Sequence, residues 1–220
     1  MRTRLIALAG SLAAMVLLVG ACDPLEGPPS SAAPPSVDVP ADNDPAGTAA
    51  TLDTLAVVTW APMTGYSRDR FHHWDSQGSG CDTRDVVLKR DGQGVSVGSD
   101  CKIGQGSWFS PYDGKTVTDP QDLDIDHMVP LANAWRTGAA AWTDEQREQF
   151  ANDLSRPQLL AVTLTTNRSK GDQDPSEWKP PRHEYWCAYA QHWIAVKGYW
   201  RLGVTVAEKS ALTEMLGTCV

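Results

Sequence analysis

The chain has 220 residues, and 19 Lys and Arg stand against 27 Asp and Glu, which gives a formal charge of −8 at pH 7. This acidic balance argues against a protein that holds nucleic acid on a broadly basic surface, so any nucleic-acid chemistry has to arise at a local site. Nine tryptophans and a 41% share of hydrophobic residues are enough to build a core.

The first 21 residues have the pattern of a signal peptide. Arg2 and Arg4 precede a run of small and apolar residues that is short for a bilayer span. The run ends in Val-Gly-Ala before Cys22, which resembles a bacterial lipobox and implies cleavage before Cys22 and lipidation of that cysteine. An ordinary secretion signal with an incidental cysteine is the alternative. Either signal predicts an extracytoplasmic protein, lipid-anchored to the cell membrane or secreted.

Residues 22–51 are dominated by Pro, Ala, Ser, Gly and acidic residues, with almost no large apolar side chain. Such a segment cannot bury enough surface to offset the entropy lost on ordering. We therefore predict a flexible tether over 22–51. The remaining residues, 52–220, have the length of one domain.

Turn residues, capping patterns and hydrophobic periodicity predict a mixture of helices and short strands in this domain, which indicates an α+β fold. In its first half they predict short helical pieces at 52–60 and 66–74, a helix at 83–90, a β-hairpin over 94–109, and a strand from 123 that runs into His127. In its second half they predict a helix at 131–137, a helix from the capping box at Thr143 to about 154, a strand at 159–164, and two C-terminal helices at 186–197 and 206–217.

Five cysteines are present, and four remain when the lipidated Cys22 is set aside. An even number in an exported chain predicts two disulfides. Cys187 lies at the start of the first C-terminal helix and Cys219 just after the second, and a short link makes these helices antiparallel. Their ends then meet, which favours the pairs Cys187–Cys219 and Cys81–Cys101.

Two short motifs carry residue types that suit phosphodiester hydrolysis. The first is "DIDHMVP" at 124–130, where Asp126 and His127 end a predicted strand; the second is "NRSKGD" at 167–172. In this order they resemble the HNH endonuclease family, whose core runs Asp-His-x-x-Pro, a second strand, then Asn-x-x-Lys. The stretches "GCDTRDVVLKRD", "FANDLSRPQLLAV" and "CAYAQHWIAVK" extend the resemblance to exported bacterial proteins of this family.

The resemblance implies a ββα-metal (HNH, or His-Me finger) core, here with an N-terminal β-hairpin, added helices and two disulfides. It implies that His127 is the general base that accepts a proton from water. Asp126 and Asn167 are the implied catalytic metal ligands, and their oxygen atoms suit Mg²⁺ or Mn²⁺. Lys170 and Arg168 are the implied ligands of the non-bridging phosphate oxygens.

Two further residues near the motifs are expected to have structural roles. Gln158 stands where the family usually has an Asn that tethers a loop, and its carboxamide is the same group on a longer arm. Asp124 lies two residues before Asp126 on the strand. It either orients His127 or lies at the surface, and the sequence leaves both alternatives open.

The function implied is that of an extracytoplasmic metal-dependent endonuclease with nucleic acid as its partner, DNA being favoured over RNA. Contact with a membrane is expected only through the lipid anchor, and no protein partner is implied. Two alternatives remain: a non-catalytic envelope-binding module on the same scaffold, and a hydrolase of another phosphodiester. Taken singly, Asp126-His127 is also compatible with an exposed strand end, and Asn167 with a turn or helix cap.

Overall fold

A computed structural model describes residues 44–219 of the chain. The predicted signal peptide, Cys22 and most of the predicted tether lie outside the described residues. Helices α1 to α7 span, in order, Pro45–Thr54, Thr83–Asp91, Leu131–Thr137, Asp144–Ala151, Leu164–Lys170, Trp186–Trp200 and Val206–Leu216. Strands β1 to β7 span, in order, Ser76–Gly78, Cys81–Asp82, Gly92–Gln93, Ser107–Phe109, Thr116–Val117, Leu123–His127 and Leu159–Thr163. Short 3₁₀ turns occupy Arg68–Arg70, Pro120–Asp122, Ala139–Ala141 and His183–Tyr185.

The end of the predicted tether is helical, so the prediction of a flexible segment is wrong for residues 45–51. Helix α1 begins there because the Asp44 carboxylate accepts a hydrogen bond from the Gly47 amide at 2.8 Å and Pro45 occupies the first turn. Leu52 is buried in the main core and anchors the helix. The folded domain therefore starts earlier than residue 52.

The helical pieces predicted at 52–60 and 66–74 are mostly absent. Helix α1 ends at Thr54, and Val57 then forms a parallel bridge with Val204, with the Val58 amide donating to the Val204 carbonyl at 2.8 Å. Only Arg68–Arg70 is helical in the second piece. The partner strand segment around Val204 is remote in sequence, so local periodicity could not reveal it.

The predicted hairpin over 94–109 is present in altered form. Val97 and Ile103 form an antiparallel bridge, but β4 pairs with β3 at 92–93 and also with β5, which makes a three-stranded sheet. The helices predicted from 83 and at 131–137 are observed. Helix α4 starts after its Thr143 capping box as predicted, but it ends at Ala151, three residues early.

Strands β6 and β7 form an antiparallel pair, and helix α5 follows β7 without a loop. In this register Asp126 lies opposite Leu160 and His127 lies opposite Leu159. The order strand, strand, helix is consistent with the ββα arrangement implied by the motifs. The described residues as a whole form a mixed α/β domain of small sheets and helices.

Two hydrophobic clusters lie on opposite faces of the β6–β7 pair. Alternate residues of a strand point to opposite faces, so Leu160 and Val162 pack into the larger cluster with helix α6, whereas Leu159 and Ala161 pack into the smaller one. Trp108 lies at the centre of the smaller cluster and is fully buried. The Asp126-His127 pair thus ends a strand that is covered on both sides.

Both predicted disulfides are present, Cys81–Cys101 and Cys187–Cys219. The sequential pairing is confirmed, and the α6–α7 hairpin brings the second pair together as expected. None of the helices within residues 44–219 combines the length and apolarity that a membrane span requires.

Candidate active site

His127 is held as a neutral base at the end of β6. Its Nε2 lies 3.0 Å from the carbonyl oxygen of Ala151, at the end of helix α4. A carbonyl only accepts, so Nε2 carries the proton and Nδ1 is left as the basic nitrogen. The residue is 5% exposed, and this burial lowers the pKa of His127 to about 3. The imidazole therefore stays unprotonated throughout the physiological range.

Aromatic rings from a segment far earlier in the chain pack against His127. The ring centroids of Trp74 and His73 lie 6.0 and 6.2 Å from that of His127. His73 is itself fixed by a hydrogen bond from Nδ1 to the carbonyl of Phe71 at 2.8 Å. The imidazole is thus oriented by a hydrogen bond on one nitrogen and by ring packing.

Lys170 does not lie where a phosphate could reach it, so its predicted role as a phosphate ligand is wrong. Its side chain is fully buried, and Nζ donates to both carboxylate oxygens of Asp126 at 2.8 and 2.6 Å. Nζ also donates to the carbonyls of His127 and Met128 at 2.8 and 3.0 Å. Helix α5 turns this residue toward the core, where it neutralises Asp126 and fixes the end of β6.

Tyr112 completes this buried network, and sequence reasoning missed it. Its hydroxyl donates to Asp126 Oδ2 at 2.5 Å. Burial raises the pKa of Asp126, and the attraction of Lys170 opposes that rise. Burial, followed by the charge of Asp126, raises the pKa of Tyr112 well above its usual value. The Lys170 ammonium is surrounded by four oxygen acceptors: both carboxylate oxygens of Asp126 and the two backbone carbonyls. Asp126 and Lys170 therefore form a buried ion pair. No periodicity or motif around Tyr112 signalled this contact.

Asn167 lies in the middle of α5, not at its start as predicted. Its Nδ2 donates to Asp124 Oδ2 at 3.1 Å, which leaves the amide oxygen Oδ1 available to a ligand. Asp124 also lies 3.9 Å from Arg168. Asp124 therefore contacts Asn167, and its side chain is 31% exposed, so neither alternative from the sequence, orienting His127 or lying free at the surface, describes it fully.

A small open cleft of about 190 Å³ brings the site residues together. Asp126, His127 and Asn167 line it, together with the guanidinium-bearing residues Arg68 and Arg168. The Arg168 side chain is 73% exposed. The Arg68 charge also contributes to lowering the pKa of His127. A neutral imidazole, two side chains with oxygen atoms and two guanidinium groups thus line one cleft, and this combination suits an anionic substrate.

The sequence analysis did not identify Arg68, because this residue precedes the motifs by a long stretch of chain and reaches the cleft only through the fold.

A larger cavity of about 400 Å³ lies beside α1 and α6, lined by residues such as Thr48, Arg156 and His192. It contains none of the motif residues. The smaller cleft is the candidate site because Asp126, His127 and Asn167 meet there.

The donor atoms in the cleft fit a hard divalent cation. The carboxylate of Asp126 and the free amide oxygen of Asn167 are both oxygen ligands on its lining. Mg²⁺ commonly takes only one or two protein ligands and completes its shell with water and phosphate. The amide oxygen of Asn167 is open to such an ion, whereas both oxygens of Asp126 already accept from Lys170, so an ion here would share the Asp126 carboxylate with the ammonium.

Gln158 tethers the loop that follows His127. Its side chain is fully buried, Oε1 accepts from the Val129 amide at 3.1 Å, and Nε2 donates to the Val129 carbonyl at 2.9 Å. The Met128 amide donates to the Gln158 backbone carbonyl at 2.7 Å. These bonds hold the loop against the start of β7.

Comparison with known proteins places this chain among nuclease domains. Residues 97–215 match the family described as GmrSD restriction endonucleases, C-terminal domain, and the chain belongs to that family. A relative from the fungus Arthroderma benhamiae, described as an uncharacterized secreted protein, is 54% identical over 189 residues, which cover 86% of this chain and 93% of the relative. The fungal source of this relative does not support the bacterial origin that the resemblance implied. No solved structure matches the chain.

Proposed function

We propose that the protein is an extracytoplasmic, divalent-metal-dependent HNH endonuclease. The observation that carries this proposal is the meeting of a neutral His127 with Asp126, Asn167 and two arginines in one cleft. Membership in a restriction endonuclease family supports the same reaction class. DNA, which is what restriction enzymes cut, is the proposed substrate in preference to RNA.

In the proposed reaction His127 Nδ1 accepts a proton from the attacking water, and the new P–O bond forms as the bond to the leaving oxygen breaks. The hydrogen bond from Nε2 to Ala151 keeps Nδ1 free for this proton. Arg68 and Arg168 neutralise the non-bridging oxygens, whose negative charge grows in the transition state. In this proposal His127 handles the proton, and the two arginines handle the charge on the phosphate.

Asp126 and Asn167 are the residues that would hold the cation. A bound Mg²⁺ or Mn²⁺ supplies a Lewis acid for the phosphoryl group and stabilises the leaving oxygen. Lys170 supports this from behind the cleft, because it keeps the carboxylate of Asp126 in a single orientation.

The first experiment is a substrate panel with and without chelator. Purified protein is incubated with plasmid, single-stranded DNA, RNA and a small phosphodiester in the presence of Mg²⁺ or Mn²⁺. We expect chelator-sensitive cleavage of DNA. Cleavage of the small diester alone would favour the hydrolase alternative, and no cleavage of any substrate would favour a non-catalytic binding module.

The second experiment separates the base from the metal ligands. His127→Ala is expected to lower cleavage by about 10²–10⁴-fold, which added metal does not restore. Asn167→Ala should instead raise the Mg²⁺ concentration needed for half-maximal rate. Asn167 is a better metal probe than Asp126, because Asp126 also pairs with Lys170. The exposed His183→Ala is the matched histidine control. Wild-type cleavage by His127→Ala would overturn the assignment.

Export is supported by the two disulfides and by the secreted relative. We also propose that Cys22 carries a lipid that anchors the protein to the membrane outside the cytoplasm. Mass spectrometry of the mature N-terminus is expected to find a lipid-modified Cys22. An unmodified mature end at another residue would show a freely secreted protein instead.

A further inference from the structure

A second group of metal-ligating side chains lies outside the cleft. His72 Nδ1 lies 2.7 Å from Asp75 Oδ1 and 3.7 Å from Glu148 Oε1. The ligand atoms of all three residues lie within 4.8 Å of one another. Donor atoms around a tetrahedral zinc ion, with metal–ligand distances near 2.1 Å, stand about 3.4 Å apart. The spacings of 2.7 and 3.7 Å lie on either side of that value, so a bound ion would replace the present hydrogen bond between His72 and Asp75 with only a small movement of the side chains.

The backbone that carries these side chains is held in place by one residue. Asn152 Nδ2 donates to the carbonyls of His72 and Glu148, both at 2.9 Å, and Asn152 Oδ1 accepts from the Asp75 amide at 3.0 Å. Oδ1 also accepts from the buried Thr83 hydroxyl at 2.7 Å. The three ligands therefore stand on a frame that is rigid before any ion binds, which lowers the entropy cost of binding.

We propose that His72, Asp75 and Glu148 form a second cation site that takes zinc or a similar transition metal. Two carboxylates and one imidazole match the charge of a divalent ion, and an imidazole ligand favours such metals over Mg²⁺. Water fills the remaining positions, since the His72 side chain is 71% exposed. None of the three residues lines the cleft, so ion binding at this site can be measured apart from the proposed nuclease activity.

An ion at this site would join the two segments that orient His127. His72 and Asp75 flank His73 and Trp74, whose rings pack against His127. Glu148 lies on α4, the helix whose last residue accepts the hydrogen bond from His127. The bound ion would therefore stiffen the surroundings of the base without touching the substrate.

The test is equilibrium dialysis of the purified protein against zinc, in millimolar Mg²⁺ that fills the cleft site. We expect one zinc equivalent in wild type and at least a ten-fold loss of affinity in His72→Ala and in Glu148→Gln, because even losing a residue behind a ligand costs roughly 10–100-fold. Glu145→Gln, which removes the same charge from the same helix, should bind zinc like wild type. Hydrogen exchange of residues 71–75 should slow with zinc in wild type and in Glu145→Gln, but not in His72→Ala.

A further variant separates this site from the cleft. Asn167→Ala should keep wild-type zinc affinity, whatever its effect on cleavage. Loss of zinc in Asn167→Ala with retention in His72→Ala would place the ion in the cleft and overturn the proposal. So would wild-type protein that binds no zinc at micromolar concentration. His72 is exposed, so its replacement leaves the fold intact, which circular dichroism checks.

Discussion

At the scale of the residue, His127 owes its chemistry to its surroundings. Burial removes the water that would stabilise an imidazolium, and the nearby charge of Arg68 acts in the same direction. The carbonyl of Ala151 fixes which nitrogen carries the proton. A histidine at an exposed strand end would have none of these properties. The low pKa keeps the imidazole neutral at pH 7, and the cost appears as a pH-dependent stability.

We predict that stability falls as the pH drops from 7 to 4, in part because of His127. The unfolded chain binds a proton at His127 near its usual pKa of 6.5, whereas the folded chain binds it only near 3. Between these values the unfolded state holds more protons, so acid favours unfolding, by about 3 kcal/mol over this interval. The contribution is fully present above pH 6.5 and is lost as the pH falls toward 3.

Urea unfolding at pH 7 and pH 4 tests this in wild type and in His127→Gln. The variant should lose about 3 kcal/mol less than wild type between the two pH values. His192, which burial also shifts to a pKa of about 4, contributes equally in both proteins. An identical pH dependence in the two proteins would show that His127 is protonated normally in the fold.

At the scale of the element, the ββα unit depends on a contact between its helix and its first strand. Lys170, the last residue of α5, reaches under β6 and donates to Asp126 and to two carbonyls beyond it. Arg168, two residues earlier, points to solvent. The helix thus presents one cation to the core and one to the solvent at the cleft, and substitution should separate their two effects.

We predict that Lys170→Met destabilises the protein by about 3–5 kcal/mol, because it leaves the buried carboxylate of Asp126 without its partner. Arg168→Ala should change stability by less than about 0.5 kcal/mol, as expected at the surface, while lowering the rate of DNA cleavage. Chemical denaturation and a cleavage assay on both variants measure the two effects. If Lys170→Met unfolds like wild type, the ion pair does not hold the unit together.

At the scale of the whole molecule, an acidic protein offers nucleic acid little beyond the cleft. The formal charge is −8, and Arg68 and Arg168 are the two arginines that line the site. Long-range attraction to DNA is therefore weak or unfavourable. Recognition has to come from the cleft and from the cation held there.

The salt dependence of DNA binding should reflect the small number of arginines at the cleft. Two phosphate contacts predict a slope of about −2 for the logarithm of the association constant against the logarithm of monovalent salt concentration. Arg68→Ala and Arg168→Ala should each reduce the slope to about −1. Binding is measured with the His127→Ala protein, without divalent cations, so that the DNA stays intact. A slope of about −5 or steeper would mean that a wider basic surface takes part.

Several features were readable from the sequence because their signals are local. Thr143 and Thr205 each begin a helix through a capping box, which involves only the next three residues. Strand β7 follows from a short apolar run, β6 follows from apolar residues that alternate with acids, and the pairing of Cys187 with Cys219 follows from the adjacent helices. The motif at Asp126-His127 could be located for the same reason, since its residues are neighbours in the chain.

Other features were decided only by the tertiary structure, because they depend on contacts between segments far apart in sequence. Lys170 carries the same charge as Arg168, and only the packing of α5 against β6 buries the one and exposes the other. Arg68 and Tyr112 reach the site from segments without any motif. Helix α4 ends early because the Asn152 side chain bonds to the backbone of the segment at 72–75. Local sequence determines the position of such a residue in its helix, strand or turn, and the fold determines which groups its side chain contacts.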